Sequence, residues 1–131
     1  MKSFFAGIFI ALLLTGCASL NEKKKERTLE QATMIYERSI RWGDFATAAR
    51  FQRMEGTATQ PAALPGNVSV TSYQQVNSRT LADGDEVKIT VRIDYYNSDT
   101  LKVITLTDEQ AWKYYPDETM WYITTPLPAF R

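Results

Sequence analysis

The residues best suited to chemistry sit in one short run, Arg92-Ile93-Asp94-Tyr95-Tyr96, where a carboxylate is flanked by a guanidinium and two phenols. A desolvated carboxylate can be raised toward neutrality and act as an acid or base, so Asp94, Tyr95 and Tyr96 form a conceivable acid/base set. Strand alternation works against it. Asp94 and Tyr95 point to opposite faces, while Arg92 shares a face with Asp94 and favours an ordinary ion pair. The chain contains no histidine, which removes the commonest general base and the usual metal ligand. No cofactor or metal is implied, and no convergent set of catalytic groups is visible.

A second group of candidates is aromatic. Trp112, Tyr114, Trp121 and Tyr122 fall late in the chain, and Tyr95-Tyr96, Tyr114-Tyr115 and Trp121-Tyr122 are adjacent pairs. In a strand, each pair sends one ring to each face. Rings on the covered face fill a core. Those on the other face, with Arg92, are the residue types of which interface hot spots are made. Arg92, Tyr96, Trp112, Tyr114, Trp121 and Tyr122 are therefore the candidate interface residues, for another protein or a second copy of the chain.

Two helices and a meander must position these groups. Thr28 and Gln31 have capping-box spacing, and Leu29, Ala32, Ile35, Tyr36 and Ile40 follow at helical intervals. Gly43 is placed to end that helix, and Asp44 to cap a short second one through Phe45, Ala48, Ala49 and Phe51. Glu55 to Gly66, with Pro61 and Pro65, reads as a connection. Val68, Val70 and Val76 mark a first strand. Val87, Ile89, Val91, Ile93 and Tyr95 alternate strictly with polar residues in a second, Leu101 to Tyr115 gives a third, and Met120 to Thr125 a fourth. Turns at Asp83-Gly84-Asp85, Asn97-Ser98-Asp99 and Pro116-Asp117-Glu118 make neighbouring strands antiparallel. The expected fold is α+β: a helix and a short second helix packed across the Val87/Ile89/Val91/Ile93 face of a four-stranded antiparallel meander. In the tail Pro126 to Arg131, Leu127 and Phe130 can tuck onto the body, or the tail can lie in a partner's groove.

The N-terminus concerns location. Lys2 precedes an apolar run from Phe4 to Leu14, and Leu14-Thr15-Gly16-Cys17 follows. The run is short for a spanning helix, which needs about 20 apolar residues, and suits the apolar core of a secretory leader. With Cys17 it resembles the lipobox of bacterial lipoproteins. That resemblance implies a signal peptide over residues 1–16, diacylation of Cys17 and a lipid anchor in the membrane; Cys-dependent catalysis and Cys-based zinc sites are then excluded. In Gram-negative lipoproteins, Ala18 and Ser19 after the cysteine imply export to the outer membrane, at its periplasmic face. Residues 17–27, with Asn21 to Arg27 polar and of mixed charge, read as a solvated tether, leaving 28–131 as the periplasmic domain.

Charges balance at fifteen basic and fifteen acidic residues, so nothing suggests a nucleic-acid partner. Cys17 is the only cysteine, and no internal disulfide can form.

The order of elements resembles the cystatin-like and nuclear-transport-factor-2-like folds over roughly Thr28 to Phe130, with Trp42-Gly43-Asp44-Phe45 similar to the break after the first helix in the latter. Segments Ile93 to Tyr96, Leu106 to Trp112 and Trp121 to Pro128 resemble a group of small bacterial lipoproteins. Together the readings imply a non-catalytic binding or scaffold domain of the envelope. The larger fold group also implies an alternative, a small-molecule pocket between helix and sheet, and less directly an isomerase or dehydratase.

Overall fold

A computed structural model describes residues 4–54, 56, 66–81 and 83–131, with side chains from residue 18 onward. Lys2 and the side chain of Cys17 therefore lie outside the described residues, as does most of the connection with Pro61 and Pro65. The element order is α1 (Phe4–Arg41), α2 (Phe45–Ala49), β1 (Val68–Thr80), β2 (Glu86–Asn97), β3 (Val103–Tyr115) and β4 (Met120–Ile123). The strands form one antiparallel sheet in the order β1-β2-β3-β4. This is the expected α+β meander.

The first helix does not begin at Thr28. The Thr28 hydroxyl donates to the Lys25 carbonyl at 2.8 Å, one turn back inside a continuous helix, instead of capping a new one. Residues 18–27, read as a solvated tether, are helical and mostly exposed. Their composition explains it, because Glu, Lys and Arg are good helix formers and neither Gly nor Pro interrupts them. Packing adds to propensity. The Trp121 indole N–H donates to the Lys25 carbonyl at 3.1 Å, and the Lys25 ammonium pairs with Asp85 and lies 5.2 Å from the Tyr114 ring centre.

Ala32, Tyr36 and Ile40 are buried at four-residue spacing and form the stripe that meets the sheet. Ile35 falls beside the stripe and is 41% exposed. The helix ends as its sequence dictates. Gly43 takes φ +71, its N–H reaches the Ile40 carbonyl at 3.2 Å, and the Asp44 N–H reaches the Ser39 carbonyl at 2.8 Å, the paired bonds of a Schellman end. Asp44 then caps α2 by accepting from the Thr47 N–H at 3.1 Å.

On β2, Val87, Ile89, Val91, Ile93 and Tyr95 are all buried, as their alternation requires. Val76 breaks the expected pattern and is 53% exposed, because β1 bulges between Gln75 and Asn77 and shifts its register there. The core between helix and sheet is aromatic. Tyr36 meets Trp112 edge-on at 5.4 Å, with Phe51 against both rings. After α2 the chain runs beside β4, where the Ile123 N–H donates to the Phe51 carbonyl at 2.7 Å and the Arg53 N–H to the Ile123 carbonyl at 2.8 Å.

Candidate binding site at the β3 edge

The inward-facing residues of β3 are Ile104, Leu106, Asp108, Gln110, Trp112 and Tyr114, since Trp112 pairs with the buried Val87 and the period is two. Two polar residues thus occupy the middle of a core-facing row. Asp108 lies opposite Val91, Gln110 lies opposite Ile89, and both are buried.

Gln110 is held by three partners. Its amide N–H groups donate to the Tyr73 hydroxyl at 2.9 Å and to the Asp108 carboxylate at 2.8 Å, and its carbonyl accepts from the Trp112 indole at 3.0 Å. Burial pushes the Asp108 carboxyl above the usual carboxylate range, with Glu109 adding to the rise and the Gln110 bond opposing it. The ion pairs seen among the described residues, Lys25–Asp85, Arg41–Glu37 and Arg53–Glu118, do not include it. Tyr36 faces this group from α1. Its hydroxyl is fully buried and has no hydrogen-bond partner among the described residues, and burial, then Asp108 and Tyr73, push its pKa far upward.

A cleft of about 480 Å³ opens beside Asp108, between β3 and the C-terminal segment, with Ile104, Leu106, Tyr95, Pro126 and Leu127 among its walls. Apolar walls with a few fixed polar groups at this volume suit a ligand or a partner's side chains. The C-terminal segment is fastened over it. Phe130 is buried, 4.9 Å from the Tyr95 ring and 5.7 Å from that of Phe45, and the Arg131 N–H donates to the Tyr95 hydroxyl at 3.1 Å. The tail thus tucks onto the body. On the other side of Gln110, a smaller cleft of about 260 Å³ lies between α1 and the sheet, bordered by Thr33, Glu37 and Tyr73.

The cleft adjoins an open strand edge. Along β3, β4 pairs with Trp112 to Tyr115 and reaches no further toward Val103. Thr124 then donates its N–H to the Ala111 carbonyl at 2.8 Å, the Thr125 hydroxyl lies 3.4 Å from the Ala111 nitrogen, and the chain leaves the sheet. By the period of two, the backbone groups of Glu109, Thr107, Thr105 and Val103 point the same way as those of Ala111. These residues are in register with β2 on their other side, and among the described residues no strand lies along the side that faces away from β2.

Comparison with known protein families, curated proteins and solved structures finds no match.

The six candidate interface residues do not come together. Trp112, Tyr114 and Trp121 are core residues, 0%, 7% and 2% exposed, and offer no surface to a partner. Their parity was hidden because it depends on which β3 residue faces Val87, a fact of register. Arg92, Tyr96 and Tyr122 do lie on the outer side, but dispersed. Arg92 pairs across β3 with Thr107, Tyr96 with Val103 and Tyr122 with Lys113, so Arg92 and Tyr122 are separated by about 20 Å along the strands. Nor does Arg92 pair with Asp94. Residues two apart on a strand are about 7 Å apart, and each has a nearer cross-strand partner: Arg92 donates to Gln74 at 2.8 Å, and Asp94 accepts from Thr105 at 2.6 Å. Tyr95 is buried against the tail, so Asp94, Tyr95 and Tyr96 form no common site.

Near the free end of β4, Tyr122 belongs to a cluster absent from the sequence argument. The Arg53 guanidinium lies 4.1 Å from the Tyr122 ring centre and 4.4 Å from that of Tyr115, and bonds Glu118 at 2.8 Å; the Tyr122 hydroxyl donates to the same carboxylate at 2.5 Å. These bonds hold the Glu118 carboxyl below its usual range. Asp108, Gln110, Tyr73 and Tyr36 were also missed, although a signal existed: in Leu106-Thr107-Asp108-Glu109-Gln110-Ala111-Trp112, two polar residues share parity with flanking apolar ones.

Proposed function

We propose that this chain is a lipid-anchored protein of a Gram-negative envelope, attached through Cys17 at the periplasmic face of the outer membrane, whose domain binds an extended segment of another envelope protein. The lipobox resemblance supports the anchor. The observation that carries the binding mode is the conjunction at β3 of an open edge, an adjoining apolar cleft and a buried carboxyl in the cleft wall. A segment added to such an edge gains main-chain hydrogen bonds, and alternate side chains enter the pocket beside it. A lysine or arginine in that segment would meet Asp108.

Photo-crosslinking in intact cells tests the reading, with the reactive residue placed at Ile104 on the cleft or at Thr90 on the outer face. Links from Ile104 to one envelope protein are the expected result. Links from Thr90 alone would move the contact to the outer sheet face. The cleft volume favours a second reading, a small molecule held at the same place, and the absence of protein links from either position would favour it.

A further inference from the structure

The helical course of residues 18–27 bears on how the domain stands on its membrane. Given the Cys17 anchor proposed above, we infer that the end of the domain formed by the β1–β2 and β3–β4 turns faces the bilayer at close range, held by a helical strut.

Lys25 is already part of the body, through Asp85, Tyr114 and Trp121. Glu22 also reaches it, lining a cleft with Gly84 and Trp121. From Cys17 to Lys25 is eight residues, about 12 Å at helical rise, whereas a leash of the same residues would reach about 27 Å in any direction. The strut also has a direction. Its Lys25 end meets the β1–β2 turn at Asp85. The pairings Glu86 with Lys113 and Tyr115 with Met120 put the β3–β4 turn at that same end. Just past the other end of α1, Phe45 at the start of α2 meets Phe130, which packs edge-on against Tyr95 near the β2–β3 turn. The helix therefore runs the length of the sheet, and the anchor lies beyond the Asp85 end.

The chemistry of that end fits a surface held near headgroups without sinking among them. Leu20 on the strut and Met120 beside the β3–β4 turn are exposed apolar residues, 68% and 44%, but the turns carry Asp83, Asp85, Asp117 and Glu118. Acidic turns do not enter a layer that contains anionic lipid. The opposite end, with Tyr95 and Ile104 of the β3 cleft, then points away from the membrane toward a periplasmic partner.

The test uses the mature lipidated protein in vesicles of phosphatidylethanolamine and phosphatidylglycerol carrying a headgroup acceptor dye. A donor dye is attached at Asp83→Cys or at Ser98→Cys, positions separated by about 35 Å along β2. Energy transfer about twofold or more stronger from position 83 than from position 98 is expected. A five-residue Gly/Ser insertion after Leu20, outside the packed region, should erase most of that difference. Equal transfer from the two positions in the uninserted chain, stronger transfer from position 98, or a difference that survives the insertion would overturn the inference. The mass of the N-terminal peptide is read separately; a Cys17 without acyl mass would overturn the anchored reading and the strut's membrane role with it.

Discussion

Replacing Tyr36 by Phe removes one oxygen from a fully buried side chain. Its hydroxyl is fully buried between α1 and the sheet and has no partner among the described residues. A buried polar group without a partner costs about 1–3 kcal/mol. The ring keeps its edge-on contacts with Trp112 and Phe51 in the variant. Tyr36→Phe should therefore stabilise the domain by about 1 kcal/mol, the lower end of that range, because deleting the oxygen leaves a small gap. For a domain of about 100 residues that is an increase of about 4–8 °C in Tm. The assay is urea unfolding of the unlipidated domain followed by Trp fluorescence, where the midpoint should rise while its slope stays constant. A loss of about 1 kcal/mol or more would refute the reasoning, since the hydroxyl would then have a partner in solution. Repeating the substitution in an Asp108→Asn background would locate that partner: strong non-additivity would place it in the Asp108–Gln110–Tyr73 group.

Val91→Asp should unfold the domain by placing an unpaired charge at a position 1% exposed, whereas Thr90→Asp on the outer face should cost at most about 1 kcal/mol; circular dichroism of the pair checks the register, and equal effects would sink it. Phe130→Ala should cost about 3 kcal/mol in urea unfolding, because the ring is buried against Tyr95 and Phe45; an unchanged midpoint would mean that the tail is not packed. Asp108 gives a pH signature. Its carboxyl binds its proton more tightly folded than unfolded, so its contribution to stability is largest below the ordinary carboxylate pKa and declines as pH rises toward the raised folded value. Asp44 and Glu118 are shifted the other way, and their contributions are lost as pH falls. Asp108→Asn should remove the decline on the alkaline side while leaving the acid limb, as measured by urea midpoints from about pH 3 to about pH 8.

Much of the architecture was legible in the chain because it rests on local rules. The alternation from Val87 to Tyr95 specifies a strand with one buried face whatever lies beside it, and Gly43 followed by Asp44 specifies a helix end and a new cap by backbone sterics and a side-chain oxygen. The short turns then leave the meander as the simplest pairing. Other features have no local cause. Whether Trp112 and Trp121 face the core depends on which residues of β3 and β4 oppose Val87 and Tyr114. Residues 18–27 are helical by composition, but what fastens that helix to the body as a strut is Trp121 and Asp85, 96 and 60 residues away from Lys25. The cleft exists because β4 stops at Ile123 and the tail crosses to Tyr95, a contact of 36 residues' separation. Sequence alone thus determined the elements, their order and the face that β2 buries, since those follow from spacing and backbone conformation. Tertiary structure decided which polar groups are enclosed and which edge is open, because both depend on what distant parts of the chain place next to them.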